Sequence, residues 1–377
     1  MAMDAVGFRR AGHESARVVV HPDARATVFS GTQSTGQGHA TGFAQIAASV
    51  LGIAVEDVAV VEGDSQAIPF GTGTFNSRTT SIGGSAVYEA ARKIMDKATK
   101  IAAHKLQRRP PDLVYENGLF RVITHPGARS SIARLGKKAG ELIVRIVVKR
   151  RSGFVLPVPK RGATVTFADI AREAHLGHDL PLGMVPGLDE TCFFDPKDML
   201  LDYGAHVAVV EVDAETGHIA LLRHVMVDDC GRVINPLLVE GQVHGGAAQG
   251  IGQALMEAVV YDSGGEPLVG SYSDYAMPHA TDLPAFETDR AEIPTGLNPL
   301  GVRGVGEGAT IGATPAVVSA VLDALAPLGV TEIAIPMTPM QVWQAVERAR
   351  HGLVSGCGKS ITSNAVVKAR VPESRSW

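Results

Sequence analysis

Hydrophobic residues recur along the first third of the chain with two periods, and each period predicts different elements. A period of two in "ARVVVHPDARATVFSG" predicts strands at Val18–Val20 and Thr27–Phe29, joined by a Pro-Asp turn. A helical period predicts a helix from about Thr41 to Leu51, and a longer one within "GGSAVYEAARKIMDKATKIAAHKL". A strand is expected near Val58–Val61. This part of the chain should therefore form an α+β unit with glycine-rich loops between its elements.

A second unit is expected to start near Tyr203. The stretch "AHVAVVEVDAETGHIALLRHVMVDD" alternates and holds a turn at Ala214–Gly217, which predicts a long β-hairpin. A glycine-rich helix should follow in "NPLLVEGQVHGGAAQGIGQALMEAVVYD". Two more helices are predicted in "ATPAVVSAVLDAL" and "PMQVWQAVERAR", with a strand "EIAI" between them.

Two other segments differ from these units. The region from Arg129 to Arg161 carries ten Lys or Arg and one acid, Glu141. We favour an exposed basic insertion or loop here, and the alternative is a docking surface for an acidic partner or a phosphate group. The units are expected at 1–123 and 203–350, the insertion at 124–163, a connecting segment at 164–202 and a tail at 351–377.

Composition narrows the class of protein. The apolar fraction is 45% and the charged fraction 20%, which permits a sizeable core. A net charge of −4 gives no general basic field, so nucleic acid is not an expected partner. The three cysteines, Cys192, Cys230 and Cys357, form no CxxC pair, so neither a disulfide framework nor a zinc site is supported. Because no run of transmembrane length and no signal peptide is found, a cytoplasmic location without a membrane span is expected.

Glycine, 42 of 377 residues, is concentrated in a few clusters. The cluster "TQSTGQGHAT" holds Gly36, Gln37, Gly38 and His39 directly before a predicted helix. Free N–H groups and the helix dipole favour an anion there, and glutamine amides suit the edge of a heterocycle. Neither a P-loop nor a dinucleotide fingerprint is present. For any one cluster, a helix start packed against another backbone is the more common explanation.

Two further clusters carry chemistry-bearing side chains. In "GVRGVGEGATIG", Glu307 stands among glycines, where a ligand can reach its carboxylate, and a crowded carboxylate can serve as a base. A solvated loop glutamate is the common alternative. In "DDCGRVINPLLVEGQVHGGAAQG", Gln242 and His244 lie at a predicted helix start, and no metal is assigned to either histidine, His39 or His244. Several such clusters in one chain indicate that several backbones meet one large ligand.

Four stretches together resemble the molybdopterin-binding subunit of the xanthine oxidase family, the molybdenum hydroxylases, above all the carbon monoxide dehydrogenase branch. They are "GTQSTGQGHATGFAQIAASVLGI", "FGTGTFNSRTTSIGGSAVYEAARKI", "DDCGRVINPLLVEGQVHGGAAQGIGQAL" and "GVRGVGEGATIGATPAVVSAV", in that order. The resemblance implies an α+β fold with two α/β molybdopterin-binding subdomains of mixed sheets and packed helices. It also implies molybdopterin cytosine dinucleotide with molybdenum as the cofactor and Glu307 as the catalytic base, with no side chain ligating the metal. The residues expected to contact the cofactor are Gly36, Gln37, Gly38, His39, Asn76, Ser77, Arg78, Thr79, Gln242 and Gly306.

The resemblance also implies partners. The expected reaction is hydroxylation of an aldehyde, an N-heterocycle or carbon monoxide with water as the oxygen source. Three scattered cysteines cannot hold two [2Fe–2S] clusters, so iron–sulfur and FAD chains are expected as separate partners. The family subunit is roughly twice as long, and its front half is not matched here, so an N-terminal-half chain is a further expected partner. Ala40 stands where the family often has an acid.

Two alternatives remain open on the sequence. One is a non-catalytic paralogue or truncated copy that binds the cofactor or a partner without turnover. The other is a glycine-rich α/β module that binds a different nucleotide.

Overall fold

The computed structural model describes residues 2–6, 12–123, 163–352 and 367–368. Nearly all of the predicted basic insertion at 124–163 and of the predicted tail at 351–377 lies outside these residues, and so does Cys357. Those two predictions are therefore not addressed by the structure.

The described residues form strands and helices in mixed order. The strands are β1 Ala2–Val6, β2 Glu14–Val20, β3 Ala26–Ser30, β4 Val58–Glu62, β5 Leu113–Glu116, β6 Leu119–Val122, β7 Thr164–Thr166, β8 Leu188–Phe194, β9 Leu200–Val212, β10 Ile219–Asp229, β11 Phe286–Arg290 and β12 Val367–Lys368. The α-helices are α1 His39–Leu51, α2 Gly84–Lys105, α3 Phe167–Leu176, α4 Pro236–Leu255, α5 Gly308–Leu325 and α6 Pro339–Arg350.

A first hydrophobic core lies between a four-stranded sheet and helices α1 and α2. The sheet order is β4-β3-β2-β8, with β3 and β4 parallel and the other pairs antiparallel. Alternate residues of β2, such as Val18 and Val20, are fully buried, and α2 buries Ala90, Ile94 and Ala98 at helical spacing. The strands and helices predicted for this region are confirmed.

The segment predicted as connecting, 164–202, takes part in this first core. Its residues supply β7, which completes the small sheet β5-β6-β7, as well as α3 and β8. The side chains of Val165, Ile170 and Leu188 belong to the same buried cluster as those of β2 and α2. The domain boundaries themselves stay a prediction.

A second hydrophobic core lies between the other mixed sheet and helices α4, α5 and α6. The sheet has the order β1-β9-β10-β11, and β12 also pairs with β9. Strands β9 and β10 form the predicted long antiparallel hairpin, whereas β10 and β11 are parallel. Two mixed sheets with packed helices confirm the predicted α+β fold.

Two predicted elements differ in the structure. The stretch "EIAI" is not a strand; Val330 and Met337 on either side of it are buried, but Ile335 is exposed, and Pro336 follows with no N–H to donate. Helix α5 begins at Gly308 rather than near Thr314, and Pro315 lies inside it. Of the five glycines in "GVRGVGEGATIG", Gly308 and Gly312 therefore belong to the helix, and the other three precede it.

Close helix packing explains several of these glycines. A Cβ at Gly250 would lie 2.7 Å from the carbonyl oxygen of Thr310, and a Cβ at Gly312 would lie 2.7 Å from the ring of His206. The hydroxyl of Thr310 donates to the carbonyl of Gly246, and that of Thr314 to the carbonyl of Gly250. Gly250 thus lets α4 approach α5 closely, and Gly312 lets α5 approach β9. These two glycines serve packing between elements, the explanation that is more common for any one cluster.

One segment among the described residues, Gly308–Leu328, is long and apolar enough to span a membrane by length and composition. Its helix α5 packs against α4 and β9 and places Ala313, Val317 and Val321 in the second core. Core packing accounts for its apolar composition.

Candidate functional site

A cavity of about 310 Å³ lies where the two cores meet. Four helix starts reach its wall: α1 through Gly38 and His39, the π-helical turn before α2 through Thr79, α4 through Asn235, and α5 through Glu307. Helix N-termini carry partial positive charge and N–H groups without intrahelical partners. No side chain caps α1 or α5. The cavity is therefore suited to a negatively charged ligand.

All of the predicted site residues except Gly36 and Arg78 line this cavity. The lining set includes Gln37, Gly38, His39, Asn76, Ser77, Thr79, Gln242, Gly306 and Glu307. The residues expected from the resemblance thus come from four distant parts of the chain that the fold brings together. Their contact with a cofactor remains a prediction.

The turn before α1 depends on glycine for two different reasons. Gly36 and Gly38 have φ of +117° and +76°, which side chains disfavour. A Cβ at Gly36 would meet nothing within 4 Å, whereas one at Gly38 would lie 2.5 Å from Leu238 Cδ2 on α4. The Gln37 side-chain oxygen accepts the backbone N–H of Thr35 at 2.5 Å. The amide of Gln37 is thereby fixed at the edge of the cavity.

The side chain of His39, the first residue of α1, is held in place by Glu62 of β4. Its Nδ1 lies 3.1 Å from Glu62 Oε1, and the same oxygen accepts the hydroxyl of Thr32 at 3.0 Å. The imidazole side chain is only 6% exposed. Since Nδ1 is engaged by Glu62, Nε2 is the ring nitrogen available for another partner.

The loop before α2 has a strained backbone. Asn76 and Ser77 both have φ of +49°, in the left-handed region that few residues other than glycine adopt. The π-helical turn Thr79–Gly83 follows directly. Such features concentrate at functional sites. Arg78, between them, does not line the cavity, because its guanidinium is fully buried against Glu14 at 2.7 Å.

The opposite wall contains the predicted base. The backbone N–H of Glu307 donates to Ser77 Oγ at 3.0 Å, so the loop before α2 touches the start of α5. A Cβ at Gly306 would lie 3.2 Å from Ser77 Oγ and 3.7 Å from Gln242 Oε1. Glycine at 306 thus allows three parts of the chain to meet. The side chain of Glu307 is exposed on this wall.

The lining residues that were not predicted from the sequence include Cys230, Arg232, Asn235 and Arg303. Arg232 is exposed, and Arg303 donates to the carbonyl of Leu201 at 2.6 Å. Among the described lining residues these two arginines are the only guanidinium or ammonium groups, and they add positive charge to the cavity. No spacing or motif distinguishes them from other loop arginines, so only the fold identifies them.

Cys230 lies in the cavity wall, but its thiol has low reactivity. Burial, and then the neighbouring carboxylate of Asp229, raises the pKa of its thiol to about 11. A thiol in this state is a poor nucleophile and a poor metal ligand at neutral pH. Its side chain is buried and belongs to the second hydrophobic core.

Buried ionisable groups lie directly behind the wall. The carboxylates of Asp202, Asp228 and Asp229 surround a small cleft beneath Gly308. His206 Nδ1 lies 3.3 Å from His224 Nε2, and His206 Nε2 lies 3.5 Å from Asp228 Oδ1. Burial, and then the proximity of His206, lowers the pKa of His224 to about 4. Within the described residues no cluster of His, Cys, Asp or Glu is arranged to hold a metal ion.

Comparison with known proteins decides the family. The sequence model of the molybdopterin cofactor-binding domain matches residues 1–284. The chain belongs to this molybdopterin cofactor-binding family. Its relatives include the large chain of carbon monoxide dehydrogenase from Hydrogenophaga pseudoflava, 36% identical over 89% of this chain and 37% of that one. The large subunit of nicotine 6-hydroxylase from Paenarthrobacter nicotinovorans is 34% identical over 98% of this chain and 41% of its own.

Solved structures agree with the molybdopterin cofactor-binding assignment. A reconstituted CO dehydrogenase from Oligotropha carboxidovorans superposes with a TM-score of 0.78 and 32% identity over 93% of this chain and 40% of that one. Quinoline 2-oxidoreductase from Pseudomonas putida 86 gives 0.77 and 32%, over 92% and 41%. The resemblance to the carbon monoxide dehydrogenase branch is confirmed. The chain spans about two fifths of the length of the relatives it matches.

Proposed function

We propose that this chain forms part of a molybdenum hydroxylase and binds its molybdopterin cofactor in the cavity between the two cores. The observation that supports this most is the convergence of four helix starts on one cavity in a member of the molybdopterin-binding family. The cofactor would take the form of molybdopterin cytosine dinucleotide, which is anionic through its phosphates. The subdomains would span 1–123 and 203–350.

The residues present fit such a group. Uncapped helix starts at Gly38 and Glu307 offer backbone N–H groups to phosphate oxygens, and Arg232 offers an exposed guanidinium. The side chains of Gln37, Asn76 and Gln242 present amides, which suit both donor and acceptor positions of a pterin or cytosine ring. Gly36, Gly306 and Thr79 would shape the backbone around the cofactor. Arg78 would not contact the cofactor and would only support the loop that does. The volume is at the low end of the ~300–1,000 Å³ of ligand pockets, as expected if another polypeptide supplies part of the wall.

Glu307 has the position of a general base. It is the only carboxylate among the described residues that line the cavity. When bound, the molybdenum cofactor supplies the two-electron oxidation of the substrate. Glu307 would accept the proton that is released as water is used for hydroxylation. Its backbone is fixed by Ser77, so the carboxylate is carried by a restrained segment and not by a free loop.

The proposed partners and substrate rest on analogy with the relatives. Electrons would leave through [2Fe–2S] and FAD centres on separate partner chains, and an N-terminal-half molybdopterin-binding chain would complete the site, in the cytoplasm. An apolar interface with that half, on the order of 2,000 Å² or more, is expected. The substrate would be an N-heterocycle, an aldehyde or carbon monoxide. A non-catalytic paralogue that binds the cofactor without turnover is the second candidate.

Metal and nucleotide analysis tests the proposal. The chain is purified alone and after co-expression with the candidate partners, and molybdenum and acid-released cytidine monophosphate are measured per chain. Both near one equivalent in the co-expressed complex, with turnover, support the enzyme. Cofactor without turnover supports the non-catalytic candidate. A different bound nucleotide without molybdenum overturns the proposal.

A further inference from the structure

A fully buried ion pair lies behind the cavity wall and does not touch the cavity. The Glu14 and Arg78 side chains are both 0% exposed, and Arg78 Nη1 lies 2.7 Å from Glu14 Oε2. The guanidinium also donates to the carbonyl oxygens of Gly73 at 2.9 Å and His13 at 3.3 Å. Replacing a buried pair by apolar residues is often neutral for stability. Fold stability alone therefore does not explain why this pair is present.

The pair closes the loop 72–78 at both of its ends. Glu14 Oε2 accepts the backbone N–H of Thr72 at 3.3 Å and its hydroxyl at 3.1 Å, while Arg78 reaches the same oxygen from the other end. A Cβ at Gly31 would lie 2.1 Å from Glu14 Oε1, so the carboxylate occupies a space that leaves no room for a side chain at position 31. One carboxylate thus ties the two ends of the loop to strand β2.

The loop so closed carries the strained residues. Asn76 and Ser77, both at φ +49°, lie between the two anchored ends. A left-handed conformation at two consecutive residues other than glycine persists only where surrounding contacts impose it. This conformation brings Ser77 Oγ to the N–H of Glu307, 230 positions away in the chain, at a helix start without a side-chain cap.

We propose that Glu14 and Arg78 are positioning residues, which hold Ser77 in the conformation that fixes the backbone of Glu307 against the cavity. They act through Ser77 and touch neither substrate nor cofactor. The role in catalysis rests on the proposed function, whereas the restraint on Glu307 stands on the contacts alone.

The test replaces both charges at once. The double variant Glu14→Leu/Arg78→Met leaves no unpaired buried charge, so the full chain is expected to fold with a nearly unchanged midpoint of thermal unfolding. Hydrogen–deuterium exchange of the segment 303–312 should become at least tenfold faster. The molybdenum and cytidine monophosphate content per chain should fall in parallel. Ser77→Ala should reproduce the faster exchange.

A matched control lies on the same strand. Arg17 and Asp189 form an ion pair between β2 and β8 that does not reach the loop. Arg17→Met/Asp189→Leu should leave exchange at 303–312 and cofactor content unchanged. Exchange in the Glu14/Arg78 double variant equal to that of this control overturns the proposal.

A conservative variant covers a failure to fold. Arg78→Lys keeps the charge but cannot bridge Glu14, Gly73 and His13 together, so exchange at 303–312 should accelerate by a smaller factor. Unchanged exchange in a folded Arg78→Lys protein also overturns the proposal. Faster exchange in a chain that never contains molybdenum would leave the positioning role intact and refute the proposed function instead.

Discussion

The hydroxyl of Ser77 accepts the backbone N–H of Glu307 at 3.0 Å, across 230 positions of the chain. Ser77 lies just before the helix α2 of the first core, and Glu307 directly precedes the helix α5 of the second. The contact therefore joins the two cores at the cavity. It also fixes the residue that we propose as the base.

Replacing Glu307 tests that role. Glu307→Gln keeps the size and the hydrogen-bonding capacity of the side chain but removes the base, so turnover should fall by about two orders of magnitude or more. Molybdenum content should not change. Steady-state oxidation of aldehydes, N-heterocycles or carbon monoxide by the complete complex measures the effect. Asp323→Asn, an exposed carboxylate near the far end of the same helix, is the control and should retain full activity. Equal activity in both variants would remove Glu307 from the mechanism.

Substitutions in the turn before α1 separate two reasons for glycine. Gly36→Ala adds only backbone strain, about 1–2 kcal/mol for a left-handed residue. Gly38→Val adds similar strain and also forces Leu238 aside. Both should lower molybdenum content, Gly38→Val more strongly, while the far-ultraviolet circular dichroism stays unchanged. Full cofactor content in Gly38→Val would show that the turn serves the fold only.

The N-cap residue of α4, Asn235, can be compared with the N-cap residue of another helix, Thr338 of α6. Asn235 Oδ1 accepts the N–H of Leu238, and its Nδ2 donates to Gln45 on α1 at 3.1 Å. Thr338 caps α6 in the same way, away from the cavity. Both Asn235→Ala and Thr338→Ala should lower the free energy of unfolding by about 1 kcal/mol. Only Asn235→Ala should reduce cofactor content, and equal losses in both would contradict a role for the α4 start in binding.

The buried histidine His224 predicts a pH dependence. Burial lowers its pKa from 6.5 to about 4. Between these two pH values the histidine is protonated in the unfolded chain but neutral in the folded chain. The free energy of unfolding should therefore fall as the pH drops from about 6.5 to about 4 and should not respond to this group at higher pH.

Thermal unfolding midpoints at pH 7.5, 5.5 and 4.5 measure this loss. His224→Asn keeps a hydrogen-bonding group next to His206 but does not titrate, so its midpoint should change less over this range. His178→Asn, at an exposed position, is the control. A variant of His224 with the same pH response as the wild type would contradict the assignment.

Local signals explain which parts of the structure were predictable. The turn that holds Gly36 and Gly38 could be predicted because glycines directly before an apolar helical period indicate a turn that leads into a helix. The structure places Gly38 at the N-terminus of α1. The hairpin of β9 and β10 was found because its alternation is long. By contrast, "EIAI" has the composition of a strand but pairs with no strand among the described residues, and composition does not show this.

Long-range contacts explain the rest. Arg78 was expected at the cofactor because its loop matches a cofactor-binding loop of the family. Its partner Glu14 is 64 positions earlier, and no pattern in the sequence connects the two residues. Gly250 and Gly312 lie in glycine clusters of the sequence, but only the fold shows that their small size serves the contacts of α4 with α5 and of α5 with β9. Arg232 and Arg303 are loop arginines whose importance depends entirely on the fold.

The four helix starts at the cavity come in pairs, since α1 and α2 belong to the first core and α4 and α5 to the second. Each core therefore brings two partially positive ends toward the same point, and these ends repel each other weakly until an anion lies between them. An anion held by both pairs binds only while both cores are folded, so its binding free energy is shared between them. The unliganded chain would then melt in two steps, one for each core, and the liganded chain in a single cooperative transition at higher temperature.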